Sequence, residues 1–373
     1  MNGTADVVVI GGGIVGISAA YFLAEAGVGD VVVLEQGTVG SGATGRAAGA
    51  MVVQSGTEAG LRFQLEALGV HRRLQEEIGT DLRATGSLLL WRSPGDVQAA
   101  RDRIAFHAQY GIVVDALDPD ELRREFPYLA ADDVALGTHT TNDQWATPLA
   151  TVQRLADAVR SRGVLINEGC RVVDIETDGN RVRRVVTQDG GVAAGRVINA
   201  AGAWARDLGE LNGVRLPVSP RKRQVFVLQP PAEVPPDSPF IMEEEGDFYC
   251  KTRAEGLIMV CGQPPGETLD AAVEWGYLDD ALSRTERRIP ATRGMPIVGA
   301  WAGIRPISPD GRPSLGAVPG LEGYYVAGGF GGQGFTQGPL GGRLVAELIT
   351  TGQSSLDLTP FRPDRGGRLS RSR

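Results

Sequence analysis

Lysine is nearly missing from this chain. Lys222 and Lys251 are the only two among 37 basic residues, so arginine carries almost all the positive charge. Codon usage explains that before any function does. Three cysteines, Cys170, Cys250 and Cys261, are too few for a disulfide framework and form no C-x-x-C pair. That fits a reducing compartment, and a cytoplasmic protein is expected. Three histidines, His71, His107 and His139, lie far apart without ligand spacing, so no metal site is expected. An excess of basic residues is lacking too. The net charge of −8 argues against a nucleic-acid partner. No apolar run is long enough to span a bilayer. The apolar segment Val7 to Leu23 has no basic flank and is broken by Gly11, Gly12, Gly13 and Gly16, so it does not read as a signal peptide. A folded element is expected within a few residues of Met1, leaving no room for a presequence.

What the chain has in surplus is glycine. It holds 52 in 373 residues, about twice the usual ~7%. No G-X-Y period is present, which excludes collagen. A hydrophobic share of 42% with mixed charge excludes wholesale disorder. Nearly half of the glycines fall in two stretches, 11 in residues 11–49 and 14 in residues 299–342. The length suits two domains.

Asp6 to Ile10 is a β-branched run ending in glycines, which reads as a buried parallel strand. A helix over 14–26 follows, stopped by Gly27, and then a second buried strand over 31–35. This is a βαβ unit with a right-handed crossover. Further helices are expected at 58–78, 96–110, 149–162, 267–285 and 335–350. Strands are expected at 87–91, 112–117, 134–140, 164–167, 197–199 and 324–327. Asp178-Gly179-Asn180 joins strands 171–177 and 182–187 as a hairpin. The fold class is α/β and discontinuous. Residues 1–84, 145–216 and 295–360 form a Rossmann-like nucleotide-binding domain. Residues 85–144 and 217–294 form an inserted, mostly antiparallel domain. Residues 361–373 are expected to be a frayed tail.

Gly11-Gly12-Gly13-Ile14-Val15-Gly16 fits G-x-G-x-x-G between a strand and a helix, and Glu35 closes the next strand, followed by Gln36. Gly11 permits the tight turn. Gly13 lets a pyrophosphate approach the helix N-terminus beside Ile14 and Val15. Gly16 allows close packing, and Glu35 accepts from ribose hydroxyls. An ordinary glycine turn would not bring all these parts together. The glutamate repels a 2′-phosphate and so disfavours NADP. The fingerprint alone does not separate NAD from FAD. The loop Ser41-Gly42-Ala43-Thr44-Gly45-Arg46-Ala47-Ala48-Gly49, with Met51 beyond it, suits a second stretch of phosphate and flavin, or is a plain Gly/Ser loop.

These segments occur in order with Ala200-Ala201-Gly202-Ala203-Trp204, with Trp301-Ala-Gly-Ile-Arg305-Pro306, and with Gly328–Phe335. Together they resemble the FAD-dependent D-amino-acid oxidase superfamily, nearest in pattern to glycine and sarcosine oxidases. The resemblance spans about residues 5–352 and is specific at both ends. It implies flavin between a discontinuous FAD domain and a substrate sheet. It assigns substrate carboxylate binding to Arg305, as suits a guanidinium fork; a surface charge is the bland alternative. It places Tyr249 on the sheet facing the flavin, although a core aromatic fits that residue equally well. It adds Val173, Ala201, Gly202, Trp204, Gly331, Gly332, Gln333, Gly334, Phe335 and Thr336 to the cofactor contacts, the last group opening a helix whose dipole favours an anionic flavin edge.

Departures from the pattern matter. The histidine that carries flavin covalently in some relatives falls at Arg46, and residues 262–373 hold no cysteine, so noncovalent FAD is expected. Where relatives have a glycine, this chain reads Pro220-Arg221-Lys222-Arg223-Gln224. The three cations fit a solvated strand edge first, and a docking surface or an anion channel otherwise. The chemistry implied is oxidation of a C–N bond in a small amino or N-alkylamino acid. Hydride passes to flavin N5, the imine hydrolyses, and O2 returns as H2O2. No protein base is required. The partners are thus a small carboxylate-bearing amine and O2 or an electron carrier. Rival readings are a carrier-linked dehydrogenase of the same fold, a subunit of a hetero-oligomeric oxidase, and a flavin-free NAD module.

Overall fold

The computed structural model describes residues 2–53, 57–243, 248–260 and 262–366. Its α-helices are α1 (Ile14–Glu25), α2 (Glu58–Ile78), α3 (Val97–Ala108), α4 (Pro119–Glu125), α5 (Pro148–Ser161), α6 (Ala205–Glu210), α7 (Leu278–Arg288) and α8 (Gly334–Thr351).

The nucleotide side is a six-stranded sheet. Its order is Leu165–Asn167, Val31–Leu34, Val7–Ile10, Val197–Asn199, Tyr324–Gly328 and Ser314–Ala317. The first five are parallel, and the last turns back antiparallel. Val7, Val8 and Val9 are completely buried because both faces of the sheet are covered. Each such side chain contributes about 1.5–3 kcal/mol of burial energy. Helices α1, α2, α5 and α8 share one hydrophobic core with this sheet. A Cβ at Gly342 would stand 2.6 Å from Ala19 N, and one at Gly338 would stand 3.0 Å from Ile14 Cγ2. Glycine therefore sets how closely α8 lies against α1. The expected hairpin packs beside this domain as Val172–Asp178 with Arg181–Thr187.

The second sheet has eight strands. They run in the order Ile297–Ile307, Ser219–Leu228, Gly256–Val260, Tyr249–Arg253, Phe240–Glu243, Ser87–Trp91, Leu136–Thr140 and Asp115–Leu117. All pairs are antiparallel except Phe240–Glu243 with Ser87–Trp91.

Three expectations need correction. A boundary at 295 does not follow the sheets, since Ile297–Ile307 pairs with Ser219–Leu228 from Ser219↔Ile307 to Leu228↔Ile297. Its backbone hydrogen bonds are met by extending the open edge of the eight-stranded sheet. The helix expected over 267–285 forms only as α7, because Asp270 and Glu274 are drawn out to pair with Lys222. The tail is docked through residue 366: Phe361 is buried against Phe63, and Arg365 bonds both carboxylate oxygens of Asp310. Residues 367–373 of that tail lie outside the described residues, as does Cys261. Cys170 and Cys250 are free and buried. Among the described residues, no helix is long and apolar enough to cross a membrane.

Candidate flavin and substrate site

A cavity of about 1330 Å³ runs between the six-stranded and eight-stranded sheets. Pockets for drug-sized ligands measure about 300–1,000 Å³. This one has room for a dinucleotide and a small substrate together.

One end is built from local backbone. Gly11 has φ +114°, and a Cβ there would meet Ala200 O at 2.4 Å. Only glycine serves this turn. Helix α1 begins immediately beyond it, and Thr44 Oγ1 accepts from Ile14 N–H at 3.0 Å. Thr44 is thus a cap for α1 supplied by a different loop. Glu35 is held by Gly12 N–H at 2.6 Å on Oε2 and by Gly37 N–H at 2.7 Å on Oε1. Those bonds fix its carboxylate at the strand end, where a ribose would lie. Val173 and Gln188 come from the hairpin to line the same end.

The loop from Ser41 to Gly49 then runs along the cavity. Its carbonyls are taken in order by three donors from elsewhere. Trp301 Nε1–H bonds Arg46 O at 3.0 Å, Arg253 Nη1 bonds Ala47 O at 3.1 Å, and Trp145 Nε1–H bonds Ala48 O at 3.0 Å. The Arg253 guanidinium stacks over both tryptophan rings, 5.9 Å from each centroid. Through Arg253 and Trp301 this clamp ties the loop to the eight-stranded sheet. Arg46 turns back to bond its own loop at Ser41 O and Gly42 O.

The far end is made by side chains of the eight-stranded sheet. Arg305 Nη2 donates to Tyr249 OH at 3.1 Å, although the two residues sit on non-adjacent strands. Arg223 lies against the face of the same tyrosine, 5.8 Å from ring centroid to Cζ, and also bonds Gly262 O at 3.2 Å. Arg223 is 3% exposed and lines the cavity. The cationic run is therefore no solvated edge. Strand alternation turns Arg223 inward, while Lys222, also 3% exposed, bonds Asp270, Glu274 and Ala272 O on the other face. A Cβ at Gly332 would come 3.4 Å from Arg305 Nη1, so the turn into α8 lies directly against that guanidinium.

Twenty-three of the 27 expected site residues line this one cavity: Gly11, Gly13, Ile14, Val15, Glu35 and Gln36; Ser41, Thr44 and the run Arg46–Gly49; Val173, Ala201, Gly202 and Trp204; Tyr249, Arg305 and the run Gly331–Phe335. Four do not reach it. Gly16 packs behind the turn, where a Cβ would strike Gly11 O at 2.0 Å. Gly45 closes a bend on Gly40 O, Met51 is a core residue, and Thr336 is buried one residue past the lining. Arg253, Trp145 and Gln188 escaped the sequence reading, and Arg223 entered it only within a cationic run whose first reading was a solvated edge. The departure at 220–224 was the visible signal for Arg223; the other three carried none.

The residues present fit FAD. A glycine turn and helix N-terminus suit a pyrophosphate, a positioned glutamate suits a ribose, and a second glycine turn opens onto two guanidiniums and a tyrosine. Among the described residues, no group of three His, Cys, Asp or Glu side chains is arranged to hold a metal.

Known proteins bear on the same point. Residues 6–348 match the profile of a family described as FAD dependent oxidoreductase. Dimethylglycine dehydrogenase of Rattus norvegicus is 28% identical over 98% of this chain, which spans 45% of that protein. The chain thus covers less than half of such relatives. Glycine oxidase of Geobacillus kaustophilus is 31% identical over 95% of this chain and 96% of its own length. The solved structure of that oxidase superposes with a TM-score of 0.88, covering 99% of each chain at 28% identity. L-proline dehydrogenase from P. horikoshii superposes with a TM-score of 0.92 at 28% identity, covering 99% of this chain and all of the other. A glycine turn, a placed glutamate and a tyrosine-bonded arginine at the cavity's far end thus occur in a chain that belongs to the FAD dependent oxidoreductase family.

Proposed function

We propose that the chain oxidises the C–N bond of a small amino acid or N-alkylamino acid, with FAD bound noncovalently. The observation that carries this reading is the Arg305–Tyr249 pair, set against the turn into α8 inside the fingerprint cavity. FAD, when bound, accepts the hydride that leaves the carbon next to nitrogen. Arg305 presents parallel N–H donors to the substrate carboxylate. The hydroxyl of Tyr249 accepts from Arg305, so its own proton points elsewhere and is available to the same carboxylate. Arg223 adds a second positive charge and favours acids over plain amines. The buried walls exclude water and strengthen these contacts. No side chain is required to take the carbon-bound proton, so catalysis rests on placement. The released imine hydrolyses in water.

The relatives include both a glycine oxidase and dehydrogenases. We take O2 as the electron acceptor, giving H2O2, with a protein carrier as the second reading. The test is anaerobic bleaching of the bound flavin by glycine, sarcosine, dimethylglycine, proline and D- and L-amino acids, followed by peroxide yield in air. At least one carboxylate-bearing amine should bleach it, and the matching amine without a carboxylate should not. Equal bleaching by both would remove Arg305 from its role. Bleaching without peroxide would select the carrier-linked dehydrogenase.

A further inference from the structure

Helix α8 contains Pro339, five residues beyond its first residue Gly334. Proline has no N–H, so the carbonyl of Phe335 loses the donor that a regular helix supplies from four residues on. Phe335 is buried and lines the cavity, which leaves this carbonyl little recourse to water. The missing donor comes from α2. His71 Nε2 lies 3.1 Å from Phe335 O and 3.0 Å from Thr336 O. Both neighbours are acceptors, so Nε2 carries the proton. Burial lowers the imidazole pKa to about 4, keeping the ring neutral. The ring also packs on Phe335 at 5.4 Å between centroids. Two helical turns earlier on α2, Gln64 accepts from Gln337 Nε2 at 2.8 Å and donates to Val52 O at 2.9 Å. The first turn of α8 is thus held from α2 at two points.

We propose that His71 is a positioning residue for the flavin. By replacing the hydrogen bond that Pro339 removes, it fixes the first turn of α8 and so the aim of that N-terminus at the flavin ring. The proposal rests on the reading above in placing the ring at Gly331–Phe335. The helix end carries partial positive charge, which favours the more negative, reduced flavin over the oxidised one. A loosened first turn should therefore weaken reduced flavin more than oxidised flavin.

The test uses full-length protein with three substitutions. His71→Leu removes the donor. His71→Gln keeps an N–H at similar reach. Pro339→Ala restores a backbone N–H for Phe335 O. The readouts are the FAD dissociation constant of the apoprotein, the flavin midpoint potential against a reference dye, and the apoprotein melting temperature. In His71→Leu, FAD binding should weaken about tenfold. The potential should fall by about 30 mV, the equivalent of a further tenfold loss for the reduced form. His71→Gln should recover most of both. Adding Pro339→Ala to His71→Leu should recover part of both. If His71→Leu does not fold, Pro339→Ala should restore soluble yellow protein, and failure to do so overturns the proposal. Additive effects of the two substitutions overturn it as well. If they couple only in apoprotein melting, with potential and FAD affinity unchanged, His71 is part of the core and nothing more. None of these readouts needs a substrate, so a wrong substrate class leaves them intact. A wild type that binds no FAD would instead sink the cofactor reading.

Discussion

The two ends of the cavity are made in opposite ways. At the nucleotide end, residues within one βαβ unit do the work, and the groups facing the ligand are mostly backbone. Gly11, Ile14 and Glu35 lie within 25 residues of one another and are joined by hydrogen bonds among residues 11–44. At the far end, where the substrate is proposed to bind, Arg223, Tyr249 and Arg305 come from three strands that meet only in the folded sheet. The first end is a local motif that tolerates little change in backbone. The second is a set of side chains on a sheet that would survive their loss. Substitutions at the two ends should therefore fail differently.

Gly11→Ala should have the largest effect. Its φ of +114° and the 2.4 Å approach to Ala200 O leave a Cβ no room. The protein should purify without flavin, with FAD affinity down by more than about a hundredfold, or about 3 kcal/mol. Reconstitution titration reads this. Normal flavin content would show that the turn has slack and would erase the contrast.

Arg305→Ala should leave flavin content near normal and lower kcat/KM for the carboxylate substrate by about a hundredfold, the equivalent of about 3 kcal/mol. Stopped-flow reduction measures it. An equal loss of FAD affinity would mean that the two ends are not separable. Arg223→Gln should act at the same end and more weakly, raising KM about tenfold with kcat little changed. Lowered flavin content with unchanged KM would move Arg223 out of the substrate site.

Arg253→Met sharpens the comparison, since Arg253 crosses from the sheet to the loop. Ala47 O loses its donor and the two indole rings lose the guanidinium, while a thioether of similar length still fills the space between Trp145 and Trp301. FAD affinity should fall about tenfold, an intermediate effect. An effect confined to KM would place Arg253 with the substrate end instead.

The last expected effect is on stability and depends on pH. His71 has a folded-state pKa of about 4 against 6.5 when unperturbed. Its neutral form is the one the fold holds, so its contribution is complete above pH 6.5 and is lost as pH falls toward 4. At the lower limit this amounts to about 3 kcal/mol. Urea melts between pH 7 and 4 should show a fall that His71→Gln flattens. An unchanged slope would assign the acid sensitivity elsewhere.

Much of the architecture could be read before folding. Helices α1, α2, α5 and α8 and the two strands of the fingerprint follow from apolar periodicity and glycine stops, and the hairpin follows from Asp178-Gly179-Asn180. Pairing along 297–307 could not be read, because strand register depends on a partner some 80 residues away. The glycine surplus also divides in the folded protein. Gly11, Gly13 and Gly331 to Gly334 face the cavity, while Gly16, Gly338 and Gly342 serve close packing behind it. Only part of that surplus is a cofactor footprint.

The sequence by itself determined the glycine turn and the glutamate that closes the next strand, because each rests on spacing within a short segment, and the family resemblance pointed to Arg305 through its motif. Tertiary structure alone decided which face Arg223 takes, which donors clamp residues 46–48, and which side chain replaces the hydrogen bond that Pro339 removes. Those outcomes depend on strand pairing and helix packing between segments far apart in the chain, and a linear pattern does not encode which distant donor an unpaired carbonyl will meet.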